Sequence, residues 1–335
     1  MTSDLPEPAL AAFLDARFGP GPLAVVRATG GQSNPTFLVS HGDREMVLRT
    51  RPLGPTLPGA HAIDREYRVL TALHPAGVPV PRPILWHDGD VPLGRPFYLM
   101  ERVAGRIFAD TALPGAAQGE RAALWRGLAQ ALAAVHSVRP AEVGLADFGR
   151  SGDYFARQLS RWTRALAASP GSADPALRAL AARLPPLLPP DDGAVVVAHG
   201  DFRMGNLIFA PDTPRVAAVL DWELATLGHP LADLAFALIP WVTAPAEYGG
   251  LLGLDLVALG LPQAAEIEAT YRAAAPPCGP LLPFHTAFSL FRFAVIFVGI
   301  ADRAAAGSAA DPEAARLAPL AGRFAARGLQ VLDGG

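Results

Sequence analysis

The prediction of fold and function rests mainly on two stretches of this chain. They are His199-Gly200-Asp201-Phe202-Arg203-Met204-Gly205-Asn206 and, later, Val219-Leu220-Asp221-Trp222-Glu223. Together they contain an Asp-x-x-x-x-Asn pattern and a second Asp fifteen residues after the Asn. Carboxylate and amide oxygens are the ligands that Mg²⁺ prefers, and a further carboxylate can orient an attacking hydroxyl. The pattern therefore predicts Asp201 as the catalytic base, and Asn206 and Asp221 as Mg²⁺ ligands.

The residues between the Asn and the second Asp predict a β-hairpin. Residues 207–209 and 216–220 are short apolar runs, and the Pro-rich segment 211–214 is a turn between them. Asn206 and Asp221 would then lie close together at the open end of the hairpin, where both could bind one ion. Protein kinases use the same arrangement to orient an attacking hydroxyl and to hold Mg²⁺ on ATP. Phosphoryl transfer needs little more from a protein than a carboxylate beside the nucleophile and ligands for the metal. The sequence thus predicts an enzyme that uses ATP and Mg²⁺.

Five segments resemble the aminoglycoside phosphotransferase and choline kinase superfamily, and most closely the phosphotransferase domains fused to some acyl-CoA dehydrogenases. The resemblance implies an α+β, protein-kinase-like bilobal fold, with a small β-rich N-lobe (residues 1–103) and a larger, mostly helical C-lobe (residues 104–335). The segments that carry it are Gly30–Asn34, Val47–Arg49, Ala60–Leu70, His199–Phe209 and Leu220–Ala235.

The resemblance also implies where the nucleotide binds. Related kinases place a phosphate-binding lysine at the position of Arg49, with a partner at the position of Glu66. The loop Gly30–Asn34 would cover the phosphates with its backbone N–H groups, and the backbone of Glu101 and Val103 would face the adenine. The residues predicted to bind the cofactor are Gly31, Ser33, Asn34, Arg49, Glu66, Glu101 and Val103.

The chain contains no lysine, and all 28 of its basic residues are arginine. A cation that balances the charge of the nucleotide phosphates must therefore be an arginine. A guanidinium can bond a carboxylate with one edge and a phosphate with the other, whereas an ammonium is a point charge. We expect Arg49 to bond both Glu66 and phosphate.

Four further residues in or near the motif are given either a structural role or two alternative roles. His199 is expected to brace the loop through backbone hydrogen bonds rather than to act in catalysis. Asp233 matches a family aspartate that bonds the backbone of the catalytic loop. Arg203 either balances phosphate or acceptor charge or is a solvated side chain, and Glu223 is either a group that supports the metal site or an exposed carboxylate.

The composition argues against several other classes of protein and of binding partner. A net charge of −3 argues against a nucleic-acid or anionic-membrane partner. One cysteine, Cys278, permits no internal disulfide, which suits a reducing cytoplasm. The start of the chain has no signal-peptide pattern, and polar residues interrupt the apolar stretch 284–300, which predicts a buried core helix. The oligomeric state is not indicated.

The phosphate acceptor is open, because the fold does not name it. We expect a small-molecule hydroxyl acceptor with an apolar part, and the resemblance favours a hydroxy acid or a hydroxyacyl thioester. The alternatives are an aminoglycoside, a choline-like amino alcohol, or a non-catalytic nucleotide-binding module. The complete Asp201, Asn206 and Asp221 set argues against the last, and the lack of an activation segment before Asp233 argues against a protein kinase.

Overall fold

The computed structural model describes residues 5–28, 34–52, 62–89, 91–169, 173–305 and 317–334. The predicted phosphate-loop residues Gly31 and Ser33 lie outside these ranges.

The N-terminal part is an antiparallel five-stranded sheet in the order β1-β2-β3-β5-β4, with one helix packed on each face. Its elements are α1 (Glu7–Phe18), β1 (Leu23–Arg27), β2 (Thr36–His41), β3 (Arg44–Thr50), α2 (Ile63–Leu73), β4 (Pro83–His87) and β5 (Phe97–Glu101).

Strand alternation decides which side chains of the sheet face the second helix. Met46 and Leu48 of β3 belong to the small core that contains α1. Successive side chains of a strand point to opposite faces, so Val47 and Arg49 point to the face covered by α2. Glu66 of α2 lies on the buried stripe of that helix, between Ile63 and Leu70. Arg49 and Glu66 are therefore directed toward each other from a strand and a helix.

The C-terminal part is mostly helical and encloses the larger core. Its elements are α3 (Arg121–His136), α4 (Tyr154–Ala167), α5 (Pro175–Arg183), β6 (Val196–Ala198), β7 (Leu207–Phe209), β8 (Val216–Val219), β9 (Thr226–Gly228), α6 (Pro230–Ala237), α7 (Leu256–Leu259), α8 (Ala264–Ala274), α9 (Pro283–Ala305) and α10 (Ala318–Leu332).

The predicted hairpin is confirmed as β7 and β8, and it lies where the two parts of the chain meet. Phe209 pairs with Val216, as expected for a turn between them. The backbone of Arg106 exchanges two hydrogen bonds with Phe209, and the N–H of Val219 donates to the carbonyl of Pro79 at 2.7 Å. The hairpin is thus bonded to backbone on both of its edges, which fixes its position beside the N-terminal sheet.

Helix α9 is long and apolar enough to cross a membrane by length and composition alone, but 67% of its most apolar window is buried inside the protein. It packs against α4, α6 and α10. The predicted buried core helix is therefore confirmed. Its three polar interruptions, His285, Ser289 and Arg292, are buried as well, so each must find polar contacts within the fold.

Candidate active site

The catalytic loop, residues 199–206, connects β6 to β7 and is held by a buried carboxylate. Asp233 of α6 is 1% exposed and accepts hydrogen bonds from the backbone N–H groups of His199 (2.6 Å) and Gly200 (2.9 Å). Gly200 has φ +83°, and a Cβ there would lie 2.8 Å from the carbonyl oxygen of Leu224. The loop can therefore take this path only with glycine at 200. The predicted bracing role of Asp233 is confirmed.

The environment of Asp233 keeps it ionised. Burial alone would raise the pKa of Asp233. The hydrogen bonds from His136 and from the backbone N–H of Gly200 lower it by more than burial raises it, so the pKa lies below its usual value. A negative group at this position satisfies two amides that would otherwise be buried without acceptors.

His199 links the loop to the segment of the second Asp. Its Nε2 donates to the carbonyl of Leu220 at 2.8 Å, while its Nδ1 accepts from the N–H of Asp201 at 3.1 Å. The ring is fully buried, and its centroid lies 4.6 Å from that of Trp222. Both ring nitrogens are occupied by backbone, so His199 is a structural residue, as the sequence indicated.

Asp201 and Asn206 contact each other directly. The Asn206 Nδ2 donates to Asp201 Oδ2 and to the Asp201 carbonyl, both at 2.9 Å, and Arg203 Nε lies 3.3 Å from the same Oδ2. Oδ2 is thus oriented from two sides, which leaves the second oxygen of a partly exposed carboxylate available to accept a proton. Because its nitrogen faces Asp201, Asn206 directs its amide oxygen elsewhere, where it can bind a cation.

Asp221 lies next to Asn206 across the hairpin, because the N–H of Leu220 donates to the Asn206 carbonyl at 2.8 Å. Asp221 has a left-handed backbone, with φ +66°, which is uncommon for a residue other than glycine. Its Oδ1 is buried and accepts no hydrogen bond from any described residue. The nearest cation, Arg49 Nη2, is 3.7 Å from that oxygen.

This donor set fits a Mg²⁺ ion that is shared with nucleotide phosphates. The buried Asp221 Oδ1 lacks a hydrogen bond, and an oxygen in that state is ready for a cation. The described residues contain no group of three or more His, Cys, Asp or Glu that could hold a metal alone. Asn206 and Asp221 would therefore need further oxygens, and phosphates supply them.

Arg49 sits in a buried polar network at the end of the sheet. Arg49 Nε lies 3.3 Å from Glu66 Oε2, which also accepts from the Tyr98 hydroxyl at 2.9 Å. The other carboxylate oxygen accepts from Asn34 Nδ2 at 2.8 Å. Burial raises the pKa of Glu66, and the nearby Arg49 opposes that rise. Glu66 is 1% exposed, so it is not an ordinary helix-surface carboxylate.

Asn34 was predicted to bind the nucleotide, but its side chain contacts another side chain of the protein. Its side chain is 1% exposed and is used to bond Glu66. It is therefore placed to support the phosphate site through Glu66, at the end of the predicted phosphate-covering loop.

A cleft of about 370 Å³ joins this network to the connection between the two parts of the chain. We call it the inter-lobe cleft. Arg49, Glu66 and Asp221 line one end, and residues 100–103 line the other. The N–H of Glu101 donates to the Arg82 carbonyl at 2.9 Å, whereas the N–H of Val103 donates to no described residue. The cleft thus contains all the described residues that were predicted to bind nucleotide except Asn34.

A second cavity, of about 440 Å³, adjoins the other side of the catalytic motif, and we call it the loop cavity. Arg203 lines it together with the rings of Phe236, Tyr248 and Phe293. It also contains Glu247, but that carboxylate is paired with Arg327 at 2.9 Å. Glu223 lines neither this cavity nor the inter-lobe cleft.

Three features of the site were not predicted from the sequence. Tyr98 was missed as a partner of Glu66, although it pairs directly with Arg49 in the β3–β5 register. The short β6–β9 pair, which positions His199, was also missed because each strand has only three residues. The left-handed backbone of Asp221 carries no sequence signal, since aspartate occurs in many conformations.

The model of the phosphotransferase enzyme family matches residues 24–276, well over half of the chain. Among curated proteins, the chain is 40% identical over 322 residues to acyl-CoA dehydrogenase family member 10 of Mus musculus. That alignment covers 93% of this chain and 30% of the mouse protein, so the chain spans less than a third of that relative.

Among solved structures, the chain is similar to a protein of Ralstonia eutropha JMP134 that is provisionally described as an aminoglycoside phosphotransferase. The identity is 38% and the TM-score is 0.88, with 98% of this chain and 99% of that chain covered. Spectinomycin phosphotransferase, solved with ADP and spectinomycin, matches with a TM-score of 0.64 at 12% identity, over 98% of this chain and 100% of that chain. The second likeness shows the fold alone. The predicted kinase-like fold is confirmed.

Proposed function

This chain belongs to the phosphotransferase enzyme family, and we propose that it transfers the γ-phosphate of ATP to a hydroxyl group of a small molecule. We further propose that the acceptor combines an apolar part with an acidic group, as in a hydroxy acid or in a hydroxyacyl thioester whose thiol carrier bears phosphate.

One observation carries the proposal. Asp201, Asn206 and Asp221 converge at the end of a cleft whose only described lining arginines are Arg49 and Arg102, and a buried oxygen of Asp221 accepts no hydrogen bond there. A carboxylate beside two oxygen donors and a buried cation is the set that phosphoryl transfer requires.

The roles follow from these contacts. Asp201 accepts the proton of the acceptor hydroxyl, and Arg203 and Asn206 hold its carboxylate in place. Asn206 and Asp221 would hold Mg²⁺, which supplies charge neutralisation of the phosphates when bound. Arg49 bonds phosphate oxygens, while Glu66 fixes the orientation of its guanidinium. Burial would lower the pKa of Arg49, but the carboxylates of Glu66 and Asp221 raise it, so Arg49 stays charged.

The nucleotide is proposed to occupy the inter-lobe cleft, with Gly31, Ser33 and Asn34 at its phosphate end. The cleft ends at residues 100–103, where the Val103 N–H is available to a base and the Glu101 backbone lies beside it. Spectinomycin phosphotransferase, which has the same fold, binds ADP, and this supports a nucleoside triphosphate as the donor.

The acceptor is proposed to occupy the loop cavity. Arg203 contacts Asp201 and also lines this cavity, so an acidic group bound there would bring its hydroxyl near the base. The rings of Phe236, Tyr248 and Phe293 favour an apolar part in the ligand. Of the two described carboxylates that line the cavity, Glu247 is paired with Arg327, which leaves Asp110, bonded to the N–H of Ala112, as the one that an aminoglycoside amine would meet.

A phosphorylation screen tests the proposal. Hydroxy acids, hydroxyacyl thioesters, amino alcohols and aminoglycosides would be incubated with ATP and Mg²⁺, and phosphorylated products detected by mass spectrometry and ³¹P NMR. We expect products with the first two classes in the wild type and almost none with Asp201→Asn. Products from aminoglycosides alone would overturn the proposed acceptor, and no product from any class would overturn the activity.

A further inference from the structure

A third cavity, of about 250 Å³, lies beside Gly200 at the start of the catalytic loop. Three arginines from three different helices line it: Arg65 of α2, Arg161 of α4 and Arg292 of α9. We call it the arginine cavity. Among its described lining residues Glu223 is the one carboxylate, so the wall carries an excess of positive charge.

The charges of these arginines are only partly balanced by carboxylates: burial lowers the pKa of Arg65, and Asp64 and Asp147 oppose this without bonding Arg65. Arg292 is 8% exposed, and its guanidinium donates to the carbonyl of Gly200. Arg65 donates to the carbonyls of Phe148 (2.7 Å) and Ala225 (3.2 Å). Within the described part of the chain, none of the three forms an ion pair within 4.0 Å. Arg292 is the buried one of the three, and a buried arginine is usually paired with a carboxylate. It faces the ring of Phe236 instead, so the cavity has the charge of a site for an anion.

The neutral donors of the cavity point to the same ligand. Trp162 Nε1 is buried and bonds no described residue, although an unpaired buried donor costs on the order of 1–3 kcal/mol. The amide of Gln158 also lines the cavity. A wall that offers guanidinium, indole and amide N–H groups suits a ligand with several acceptor oxygens. Guanidinium groups bond phosphate in bidentate geometry, and a tetrahedral phosphate can accept from groups that approach on several sides.

We propose that the arginine cavity is a phosphate-binding site. The phosphate is either a second anionic group carried by the acceptor, which rests on the proposed function, or a free phosphate ion that acts on the catalytic loop. Both sources present the same oxygens to the arginines. Either would act close to the chemistry, because Arg292 bonds the carbonyl of Gly200, directly before Asp201.

Binding of inorganic pyrophosphate, measured by calorimetry, tests the site. A saturating non-hydrolysable ATP analogue with Mg²⁺ would be present, so that the nucleotide-phosphate region is filled. Arg161 is exposed, so Arg161→Ala should fold normally. The matched control is Arg164→Ala on the same helix, because Arg164 bonds the Ser160 carbonyl of its own helix and does not line the cavity.

We expect Arg161→Ala to weaken pyrophosphate binding by about tenfold to a hundredfold, the usual effect of losing a charge-assisted contact. The Arg164→Ala variant should bind like the wild type. Equal affinity in Arg161→Ala and the wild type, or no saturable binding to the wild type, would overturn the proposal. Pyrophosphate binding with this variant pattern but without turnover on any acceptor would support the site and refute the proposed function instead.

A second measurement separates the two sources of phosphate. The wild type and Arg161→Ala would be assayed with a hydroxyacyl thioester of coenzyme A and with the same hydroxyacyl group on N-acetylcysteamine, which has no phosphate. An acceptor-borne phosphate predicts a higher KM in Arg161→Ala for the coenzyme A thioester alone. A free phosphate predicts that added inorganic phosphate changes wild-type turnover of both thioesters, and that Arg161→Ala loses this response. If the variant matches the wild type in all these assays, the site is refuted.

Discussion

At the scale of single residues, Arg49 carries the consequence of a chain without lysine. Its guanidinium lies between two carboxylates, with Nε near Glu66 and Nη2 near Asp221. An ammonium on a flexible stem has no second edge with which to bond phosphate while it contacts Glu66. The arginine is therefore part of the geometry of the site and not only a source of charge.

We expect Arg49→Ala to lose about 2–4 kcal/mol of transition-state stabilisation, the range found when an electrostatic group of this kind is removed. Arg49→Lys should also be impaired, although less. Steady-state kcat/KM for ATP measures both. The control is Arg51→Ala, because Arg51 is half-buried near the same end of the sheet but pairs with Asp64 rather than with Glu66 or Asp221. If Arg49→Ala keeps the wild-type kcat/KM while Arg51→Ala does not, the two roles were assigned to the wrong residues.

The second residue-scale prediction concerns Asp221. Asp221→Ala should abolish the tightening of ATP binding by Mg²⁺, because the anionic ligand is lost while the phosphate charge remains. Calorimetry with and without Mg²⁺ measures the effect. Asp212→Ala is the control, since Asp212 is an exposed carboxylate in the turn of the same hairpin. An unchanged Mg²⁺ effect in Asp221→Ala would mean that the ion is held elsewhere.

At the scale of elements, the catalytic loop depends on a single backbone conformation. Gly200→Ala must place a Cβ in a left-handed residue and 2.8 Å from the Leu224 carbonyl. We expect a loss of unfolding free energy on the order of 1–3 kcal/mol, typical of such strain, together with a lower kcat because Asp201 follows directly. Gly77→Ala separates the two causes, because Gly77 has φ +82°, close to that of Gly200, but no atom within 4 Å of the added Cβ.

Denaturant titration and turnover of both glycine variants test this. Gly200→Ala should be the less stable of the two and should alone lose activity. Similar stability in the two variants with full activity would show that the loop tolerates the contact with Leu224.

The sequence predicted the hairpin and the buried helix, and it missed the features that depend on contacts between distant residues. The hairpin of β7 and β8 follows from two apolar runs that are separated by a turn. The buried helix α9 follows from an apolar stretch that polar residues interrupt. The ion pair of Arg49 and Glu66 was expected from the resemblance. Tyr98, which completes that network, required the strand register, and the short β6–β9 pair is too brief for periodicity to reveal.

At the scale of the whole molecule, the two parts of the chain are joined through polar contacts at the site. The N–H of Val219 in the hairpin donates to the carbonyl of Pro79, and Arg49 lies beside Asp221. Within the helical part, His199 and Asp233 fix the catalytic loop. The global fold and the active site therefore share the same buried groups, so a change in the ionisation of Asp233 should affect both.

The pH dependence of stability follows from Asp233. Its pKa is lower in the folded chain than the value of about 3.9 in an unfolded one. Ionised Asp233 therefore stabilises the fold above that pH, and the contribution is lost as the pH falls through the folded value. Asp233→Asn should lose on the order of 3–5 kcal/mol near neutral pH, as for other broken buried pairs.

Urea unfolding of both proteins from pH 7 to pH 3 measures this. The stability difference should stay constant down to about pH 5 and narrow below it. A difference that narrows between pH 7 and pH 6 instead would assign the titration to another group.

Turnover of Asp201→Asn with the acceptor found in the screen tests the central claim most directly. Asp201 is held by Arg203 and Asn206 beside the hairpin that carries Asp221. An asparagine at 201 keeps an oxygen that can accept from both but cannot take up the proton of the acceptor. We expect ATP affinity close to that of the wild type and a kcat lower by about 10²–10⁴-fold, the usual share of a positioned acid or base. A kcat close to that of the wild type would contradict the account.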